Sequence, residues 1–397
     1  MGKSLAHSRI LFYIPEGNVE TSGVYASQVL GLARYCVKIG AKCLIFQWAP
    51  CQRSGKEIRY RNLEEGIDVV EDFVPRKYRQ FWFQTRDYRR LNKRFIKAFV
   101  EFSPTHIYCR QYQTCRAAKD IAVSERATLI YSMRGPDAFE RRQMGGIKNF
   151  VASLYTAWAV RRAMKACDKF TTMSHSFAKW NKEKFGRDAI VFPCCVTDGF
   201  FKQTNEAEKR SVRLSLGFAE DDTVVVWCGG VFVWQRLDDV VCLLRDMSKS
   251  DSKMKVLFIV READEMRSLC AKHGYDKSKY RIISLNPTDV PKYLQACDVG
   301  IDCLLQDDFK CSICCPVKIG EYLASGLPVL ATSNMGDVPK RLSESGAGAI
   351  LAEPLNAKDA LAKMNRLLGV DKEVMRNAAK KYYSWDGNKV PVATLFS

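Results

Sequence analysis

A lysine and a glutamate in the last third of the chain have the types and the spacing to bind a nucleotide. Lys318 and Glu321 lie three residues apart, so they share one face if their segment is helical. A lysine beside a helix start can neutralise a phosphate, and a carboxylate one turn further can accept the protons of two neighbouring hydroxyls. Phosphate and vicinal diol together predict a nucleotide-sugar site. The alternative is an ordinary amphipathic helix whose Lys and Glu are solvated.

A short helix and a buried strand are predicted to position this pair. Pro316 suits the first helical position, where its missing N–H costs nothing, and Gly326 suits the position after the helix, where φ turns positive. The apolar run 327–332 has the length of a parallel strand buried on both faces. A helix start beside a strand end offers unpaired N–H groups to an anion.

The motif Pro-x-Lys-x-x-Glu-Tyr-Leu-Ala-x-Gly-x-Pro-Val, residues 316–329, resembles the nucleotide-binding motif of GT-B glycosyltransferases of the family-four type, or group 1. The resemblance implies that Glu321 holds the nucleotide ribose and that Ser312 also lies on the donor side. Family members usually have a second glutamate eight residues before the first, in contact with the donor sugar. This chain has Ile313 there, which affects the expected sugar contacts rather than the nucleotide site.

A second phosphate-binding segment is predicted after the strand 223–227. Small residues, including Gly229 and Gly230, precede a cation at the start of the helix 237–247, and such a loop can cradle a phosphate. The resemblance implies that Arg236 holds the donor diphosphate. Gln235 is the alternative side chain for this contact, and Arg236 would then be a solvated surface residue. With Lys318, Arg236 would neutralise the charge on the leaving diphosphate without a metal or other cofactor.

The order of strands and helices indicates an α/β fold. The strand 9–14, a turn-rich loop, the helix 24–39 and the strand 41–48 form the opening of a doubly wound sheet. The resemblance implies two Rossmann-like domains facing across a cleft, the GT-B fold. We place the acceptor-side domain at residues 1–203 and the donor-binding domain at 204–383, with a tail of about 384–397 crossing back onto the first domain.

Candidates for acceptor binding lie in the first half of the chain. The loop with Gly23 resembles the family's glycine loop; its alternative is a helix cap. Arg110 and Arg134 each follow a predicted strand at the sheet edge where open α/β sheets bind ligands. Glu140 matches a family carboxylate, although a structural salt bridge with the arginines is an equal alternative. His175 follows the strand 166–174 and is a candidate base or a structural residue.

The positive charge is concentrated in the first half. The chain of 397 residues has a net charge of +18, and residues 1–200 contribute 34 Lys and Arg against 18 Asp and Glu, or +16. Residues 76–97 mix cations with aromatic residues and end in helical spacing, which is typical of an interfacial membrane helix or of a core-packed helix with a solvated basic face. We expect an anionic membrane surface or a lipid phosphate as partner. No recognised nucleic-acid-binding module is present.

Cysteine content and hydropathy predict the compartment. Sixteen cysteines are too sparse for a disulfide scaffold, and they lack the spacing of a zinc site. Neither a signal peptide nor a membrane-spanning apolar run is evident. We therefore expect a cytoplasmic protein, peripheral at the inner face of a membrane.

These residues together predict a glycosyltransferase. It would move a sugar from a nucleoside-diphosphate sugar to a lipid-linked or glycan-precursor acceptor, and the resemblance implies retention of anomeric configuration. Two alternatives stay open: a degenerate GT-B subunit that only binds, suggested by Ile313, and a GT-B sugar-nucleotide epimerase that acts without an acceptor. The sequence does not predict the oligomeric state.

Overall fold

The structure is a computed structural model, and it describes residues 5–15, 23–51, 58–75 and 88–397. These residues divide into two compact units. Domain 1 comprises Met1–Pro193 with Asn388–Ser397, and domain 2 comprises Cys194–Gly387. The division precedes residue 203 because the connecting segment bonds to domain 2: the Val196 N–H donates to the Tyr383 carbonyl at 2.8 Å.

Domain 1 is built on an eight-stranded sheet. Its strands are β1 (Arg9–Ile14), β2 (Lys42–Cys51), β3 (Ile58–Glu64), β4 (Ile67–Pro75), β5 (His106–Arg110), β6 (Thr128–Ser132), β7 (Lys169–Thr172) and β8 (Ile190–Val191). The spatial order is β3-β4-β2-β1-β5-β6-β7-β8, and every pairing is parallel except the antiparallel pair of β3 and β4. Without β3 this is the strand order of a Rossmann-like sheet.

The helices of domain 1 connect these strands. They are α1 (Gly23–Tyr25), a π-helical turn (Ala26–Leu30), α2 (Gly31–Lys38), α3 (Tyr88–Phe102), α4 (Tyr112–Ser124), α5 (Asp137–Gln143), α6 (Gly146–Ala166) and α7 (His175–Phe185). The predicted helix 24–39 is present with a π-turn inside it, and Gly40 follows with φ of 103°. A last helix, Lys389–Leu395, follows the second domain in sequence and belongs to domain 1.

The apolar face of α3 belongs to the core of domain 1. Phe95 stacks on Tyr13 with ring centroids 4.1 Å apart, and Phe99 is also buried. Arg94 pairs with the buried Asp72. The described end of the basic segment is therefore a core-packed helix, while residues 76–87 lie outside the described residues, so the predicted membrane contact of 76–97 stays a prediction.

Domain 2 has a six-stranded, fully parallel sheet. Its strands are β9 (Thr223–Gly229), β10 (Met254–Val260), β11 (Tyr280–Ile283), β12 (Val299–Asp302), β13 (Val329–Ala331) and β14 (Gly348–Ile350). The spatial order β11-β10-β9-β12-β13-β14 is the 3-2-1-4-5-6 order of a Rossmann-like sheet. The predicted α/β class, with two parallel-sheet domains, is thereby confirmed.

The longer helices of domain 2 lie between its strands. They are α8 (Glu206–Ser215), α9 (Leu237–Ser250), α10 (Ala263–Lys272), α11 (Val290–Gln295), α12 (Phe309–Ile313), α13 (Val317–Ala324), α14 (Val338–Ser345), α15 (Ala357–Leu368) and α16 (Lys372–Tyr383), and short 3-10 turns cover Asp198–Phe201, Val233–Gln235 and Lys277–Lys279. Within the described residues, no helix combines the length and the apolar character needed to span a membrane.

The predicted helix and strand around the Lys-Glu pair are α13 and β13. The helix begins at Val317, with Pro316 as its N-cap rather than its first residue. Gly326 has φ of 81°, so the positive φ expected after the helix is confirmed. A side chain at Gly300 in β12 would meet the Tyr322 ring at 2.4 Å, so glycine there lets α13 pack closely on the sheet.

Candidate functional site

The Lys-Glu pair lies where the strand order of domain 2 reverses. β9 has β10 on one side and β12 on the other, and the carboxyl end of such a switch point is the usual ligand site of open α/β sheets. Gly229 ends β9, and Asp302 ends β12. The side chain of Lys318, from the first turn of α13, reaches the residues at both strand ends.

Lys318 is buried and held from three sides. Its Nζ donates to the side-chain oxygen of Gln235 at 2.7 Å and to Asp302 Oδ1 at 3.1 Å. It also lies 4.5 Å from the centroid of the Trp227 ring, in a cation–π contact. Burial raises the pKa of the Asp302 carboxyl, and the Lys318 ammonium opposes the rise. The ammonium is thus fixed in place, and two of its three N–H donors are engaged.

Glu321 is partly buried one turn along the same helix. Desolvation raises the pKa of its carboxyl to about 7, and the nearby Lys318 charge limits the rise. Among the described residues, no hydrogen bond or ion pair engages this carboxylate. Its oxygens are therefore available to the hydroxyl groups of a ligand.

Gly229, the last residue of β9, and Gly230, which follows it, leave room for the side chains of Lys318 and Phe232. A Cβ at Gly229 would lie 3.1 Å from Lys318 Nζ, and a Cβ at Gly230 would lie 2.4 Å from the Phe232 ring. The preceding residue, Cys228, donates its N–H to the Tyr322 hydroxyl at 2.7 Å. α13 and the end of β9 are thus tied together, so the glycine backbone and Lys318 keep one arrangement.

Arg236 is engaged by two carboxylates. Its guanidinium donates to Glu353 at 2.6 and 3.3 Å and to Asp239 at 2.8 Å. Its φ of 48° lies in the left-handed region, which favours glycine. Gln235, the alternative that the sequence left open, is the side chain that contacts Lys318. Three of the five N–H donors of Arg236 are thus engaged by described residues, so a diphosphate would have to share the guanidinium with these carboxylates or displace them.

The charges of Lys318 and Arg236 nevertheless both act on one buried thiol, that of Cys303. Burial raises the pKa of the Cys303 thiol, directly after β12, and four charged groups act on it in addition. Asp302 and Glu353 raise this pKa further, whereas Arg236 and Lys318 lower it. The structure therefore gathers the predicted cations, with their carboxylate partners, at this end of β12.

Ser312 and Ile313 lie in the short helix α12. The Ser312 hydroxyl donates to the Phe309 carbonyl at 2.7 Å, so it takes part in the helix itself. Ile313 is buried with 2% exposure. An unpaired carboxylate buried at this position would be costly, so isoleucine suits the observed packing.

In domain 1, Arg134 is held by side chains of two neighbouring strands, β5 and β6. Its guanidinium donates to the Ser132 hydroxyl at 3.0 Å and to the Tyr108 hydroxyl at 3.2 Å. Tyr108 in turn donates to Ser132 at 2.7 Å, and the Arg134 guanidinium lies 4.8 Å from the Phe192 ring centroid. This network orients a cation at the carboxyl edge of the sheet.

The other acceptor-side candidates lie on separate elements of domain 1. Arg110, the last residue of β5, is buried, with its guanidinium 5.2 Å from the Tyr25 ring. Glu140 in α5 lies beside the loop before it, since a Cβ at Gly135 would come within 3.1 Å of its carboxylate. His175 is exposed at the first turn of α7, and Gly23 begins α1, after residues that lie outside the described part of the chain.

Several residues of these candidate sites were not singled out from the sequence, among them Trp227, Asp302, Tyr108 and Ser132. Asp302 and Ser132 each end a predicted strand, and that position was an available signal. Trp227 and Tyr108 look like ordinary core residues in the sequence. Only their contacts with Lys318 and Arg134 show that they position charged groups.

Part of the chain matches a model of a known protein family. Residues 222–369 match the family model described as glycosyl transferases group 1. Comparison with curated protein sequences found no match.

Three solved structures show the fold similarity over whole chains. Sucrose-phosphate synthase from Thermosynechococcus elongatus superposes with a TM-score of 0.69 at 11% identity, covering 98% of both chains. HepE from Anabaena, in complex with UDP-glucose, gives 0.67 at 15% identity, again covering 98% of both. WaaG, a glycosyltransferase involved in lipopolysaccharide biosynthesis, gives 0.66 at 14% identity, covering 98% of this chain and 99% of that one.

The resemblance to group 1 GT-B glycosyltransferases is therefore confirmed. Domain 2 carries the family match, and the chain has the GT-B fold of the solved structures.

Proposed function

We propose that this protein is a glycosyltransferase that uses a nucleoside-diphosphate sugar, with domain 2 as the donor-binding domain. The observation that carries the proposal is the Glu321 carboxylate, which is partly buried, has a raised pKa, and is not engaged by a hydrogen bond or ion pair of the described residues. A carboxylate held in this way suits the two hydroxyls of a ribose. The similarity of HepE, whose structure contains UDP-glucose, makes UDP-glucose the first donor to test.

The charges at the end of β12 support a role in stabilising the leaving diphosphate. Lys318 is fixed by Gln235 and Asp302, and its remaining N–H donor can meet a phosphate oxygen next to the Gly229 backbone. Preorganised donors of this kind are effective because they need no rearrangement as charge develops. We propose that the reaction requires no metal or other cofactor and retains the anomeric configuration.

We propose a lipid-linked or glycan-precursor acceptor and a peripheral position at the inner face of a membrane. The excess charge of +16 in residues 1–200 and the fixed Arg134 suit an anionic acceptor or lipid surface. The free thiols of the described cysteines suit the reducing compartment at the inner face. Residues 76–97 remain the predicted contact for anionic lipid.

Titration calorimetry with UDP-glucose tests the donor site. Glu321→Ala should weaken binding at least about tenfold, because hydrogen bonds to a charged group contribute roughly 1.5–3 kcal/mol each. Glu265→Ala, which removes an exposed glutamate of α10 in the same domain, is the control and should bind normally. Unchanged affinity in Glu321→Ala would refute the site.

Comparing UDP with uridine isolates the contribution of the diphosphate. Arg236→Ala should lower the preference for UDP about tenfold and should also lower turnover, if the guanidinium leaves Glu353 to bind phosphate. Glu353→Gln keeps Arg236 but weakens its competing pair, so the preference should hold or increase. An equal loss in both variants would show that Arg236 acts only by holding the loop.

A non-catalytic binding subunit is the second candidate. Two observations favour it: Ile313 is buried where a glutamate is expected, and Arg236 is engaged by carboxylates. Incubating the purified chain with UDP-glucose distinguishes the candidates. Release of UDP, with or without an added acceptor, supports the enzyme, whereas binding without turnover across a panel of donors supports the subunit.

A further inference from the structure

Helix α6 of domain 1 has two apolar faces, and only one of them is buried. Its inner face packs on the domain through small and aliphatic residues, which are Ala152, Thr156, Ala159, Val160, Ala163 and Met164. The opposite face carries large apolar side chains at helical spacing, which are Ile147, Phe150, Val151, Leu154 and Trp158. We call these five residues the outer stripe. Ile147 is 86% exposed, Leu154 57% and Trp158 48%.

An exposed apolar stripe of this kind indicates a binding partner that covers it. Isolated apolar residues on a surface need no explanation, but a contiguous row along a helix of 21 residues marks an interaction surface. Packing within domain 1 buries the inner face of α6 but leaves the outer stripe exposed.

The surroundings of the outer stripe are cationic. α6 carries Lys148, Arg161, Arg162 and Lys165 and contains no acidic residue. The Arg142 guanidinium lies 5.5 Å from the Phe150 ring centroid, and those of Arg116 and Arg162 lie 4.8 and 5.7 Å from the Trp158 ring centroid. Apolar side chains between cations, with an aromatic residue at the boundary, are typical of helices that lie in the interface of an anionic bilayer.

The same charges argue against a second copy as occupant. In a two-fold dimer the patch meets itself, so the cations of one α6 would face those of the other without an acidic partner on that helix. An anionic lipid surface supplies the missing negative charge and an apolar layer at once.

We propose that the outer stripe of α6 inserts into the surface of an anionic membrane, with Lys148, Arg161, Arg162 and Lys165 contacting lipid phosphates. This surface is distinct from residues 76–97 and extends the membrane attachment proposed above. It does not depend on sugar transfer, because donor binding is a property of domain 2 and is measured without lipid.

Vesicle flotation of the full chain tests the proposal. The protein should float with vesicles of phosphatidylcholine and phosphatidylglycerol and much less with phosphatidylcholine alone. Leu154→Gln should lower the partition coefficient about tenfold, since it removes most of one buried apolar side chain from the lipid. Leu214→Gln is the matched control: it replaces a leucine that is 67% exposed on helix α8 of domain 2, and it should float like the wild type.

Fluorescence quenching locates the contact. Brominated lipid should quench part of the tryptophan emission, and Trp158→Phe should reduce that quenched part while still floating. Circular dichroism checks that each variant is folded. Flotation of Leu154→Gln equal to the wild type, equal losses in both leucine variants, or undiminished quenching in Trp158→Phe would overturn the proposal. So would a concentration-dependent dimer that Leu154→Gln abolishes, because the occupant would then be a second copy.

Discussion

Glu321 links the proposed ligand site to the stability of the free protein. Its carboxyl group is desolvated on a helix that packs against the sheet, and the only charge that the structure places to compensate it among the described residues is Lys318. Lys318 is itself paired with Asp302. The ionised carboxylate therefore destabilises the unliganded fold, and hydroxyl donors of a ligand would relieve that cost. Such trade-offs are common where function requires a strained or desolvated group.

We predict that Glu321→Gln stabilises the free protein at pH 8. The pKa of this carboxyl is about 7 in the folded state against 4.5 ordinarily, so the folded state binds more protons between these values and stability falls as the pH rises through them. Removing the charge should raise the unfolding free energy by about 1–2 kcal/mol at pH 8, after allowance for partial solvent access. The gain should be smaller at pH 5.

Urea unfolding at the two pH values measures this effect. The exposed Glu265→Gln serves as the control and should leave stability unchanged at both. Since the proposed ribose contact needs the ionised carboxylate, UDP-glucose affinity should rise between pH 6 and pH 8 in the wild type. A Glu321→Gln variant with the same pH dependence would show that another group governs binding.

At the scale of elements, α13 is the part of domain 2 that determines the geometry of the site. It carries Lys318 and Glu321 on one face and packs on its other side through Gly320. A Cβ at Gly320 would lie 2.8 Å from Val196 Cγ1 and 2.9 Å from Tyr383 Cβ. The helix is therefore held between the sheet and two segments that are distant from it in sequence, one at Val196 and one at Tyr383.

We predict that Gly320→Ala destabilises domain 2 although alanine is the better helix former. The helix preference gains at most about 1 kcal/mol. The clash involves branched and main-chain-proximal carbons that cannot rotate away, and overpacking of this kind costs roughly 1–3 kcal/mol. Nucleotide affinity should also fall, because α13 must shift with both site residues.

Gly369→Ala provides the comparison for thermal unfolding. This glycine lies directly after helix α15 of domain 2, where nothing comes within 4 Å of the added Cβ, and its φ of −85° suits alanine. The melting temperature of the Gly369→Ala variant should equal or exceed that of the wild type. Similar losses in the two variants would argue against tight packing as the cause.

At the scale of the whole molecule, the chain returns to domain 1 after completing domain 2. Lys169 donates to the carbonyls of Thr394, Leu395 and Ser397 at 2.9, 3.1 and 2.6 Å, so a cation sits at the carboxyl end of the last helix. Phe396 is buried against Phe12. The last ten residues thus belong to domain 1, and Phe396 is part of its core.

We predict that Phe396→Ala lowers the stability of domain 1 by about 3–5 kcal/mol, as expected for a large side chain removed from a core. Val390→Ala, in the same helix but 67% exposed, should change stability by less than about 0.5 kcal/mol. Calorimetry should show the loss in the transition of domain 1 only. UDP-glucose should still stabilise domain 2 in both variants; loss of that response would mean that the two domains unfold as one unit.

The sequence by itself determined the local features of this protein. Lys318 and Glu321 share a face because they are three residues apart in a helix, and the positive φ of Gly326 follows from the turn that must end it. The family motif and the alternation of strands and helices likewise fixed the fold class. Such features depend on neighbours along the chain, so the sequence displays them directly.

Only the tertiary structure decided which distant groups engage the predicted cations. Arg236 pairs with Glu353, 117 positions away, and Lys318 reaches Gln235, 83 positions away. The tertiary structure also shows that α6 exposes a second apolar face, which the composition of the helix alone cannot reveal. Partner choice and exposure depend on how remote segments pack together, and no local spacing encodes that.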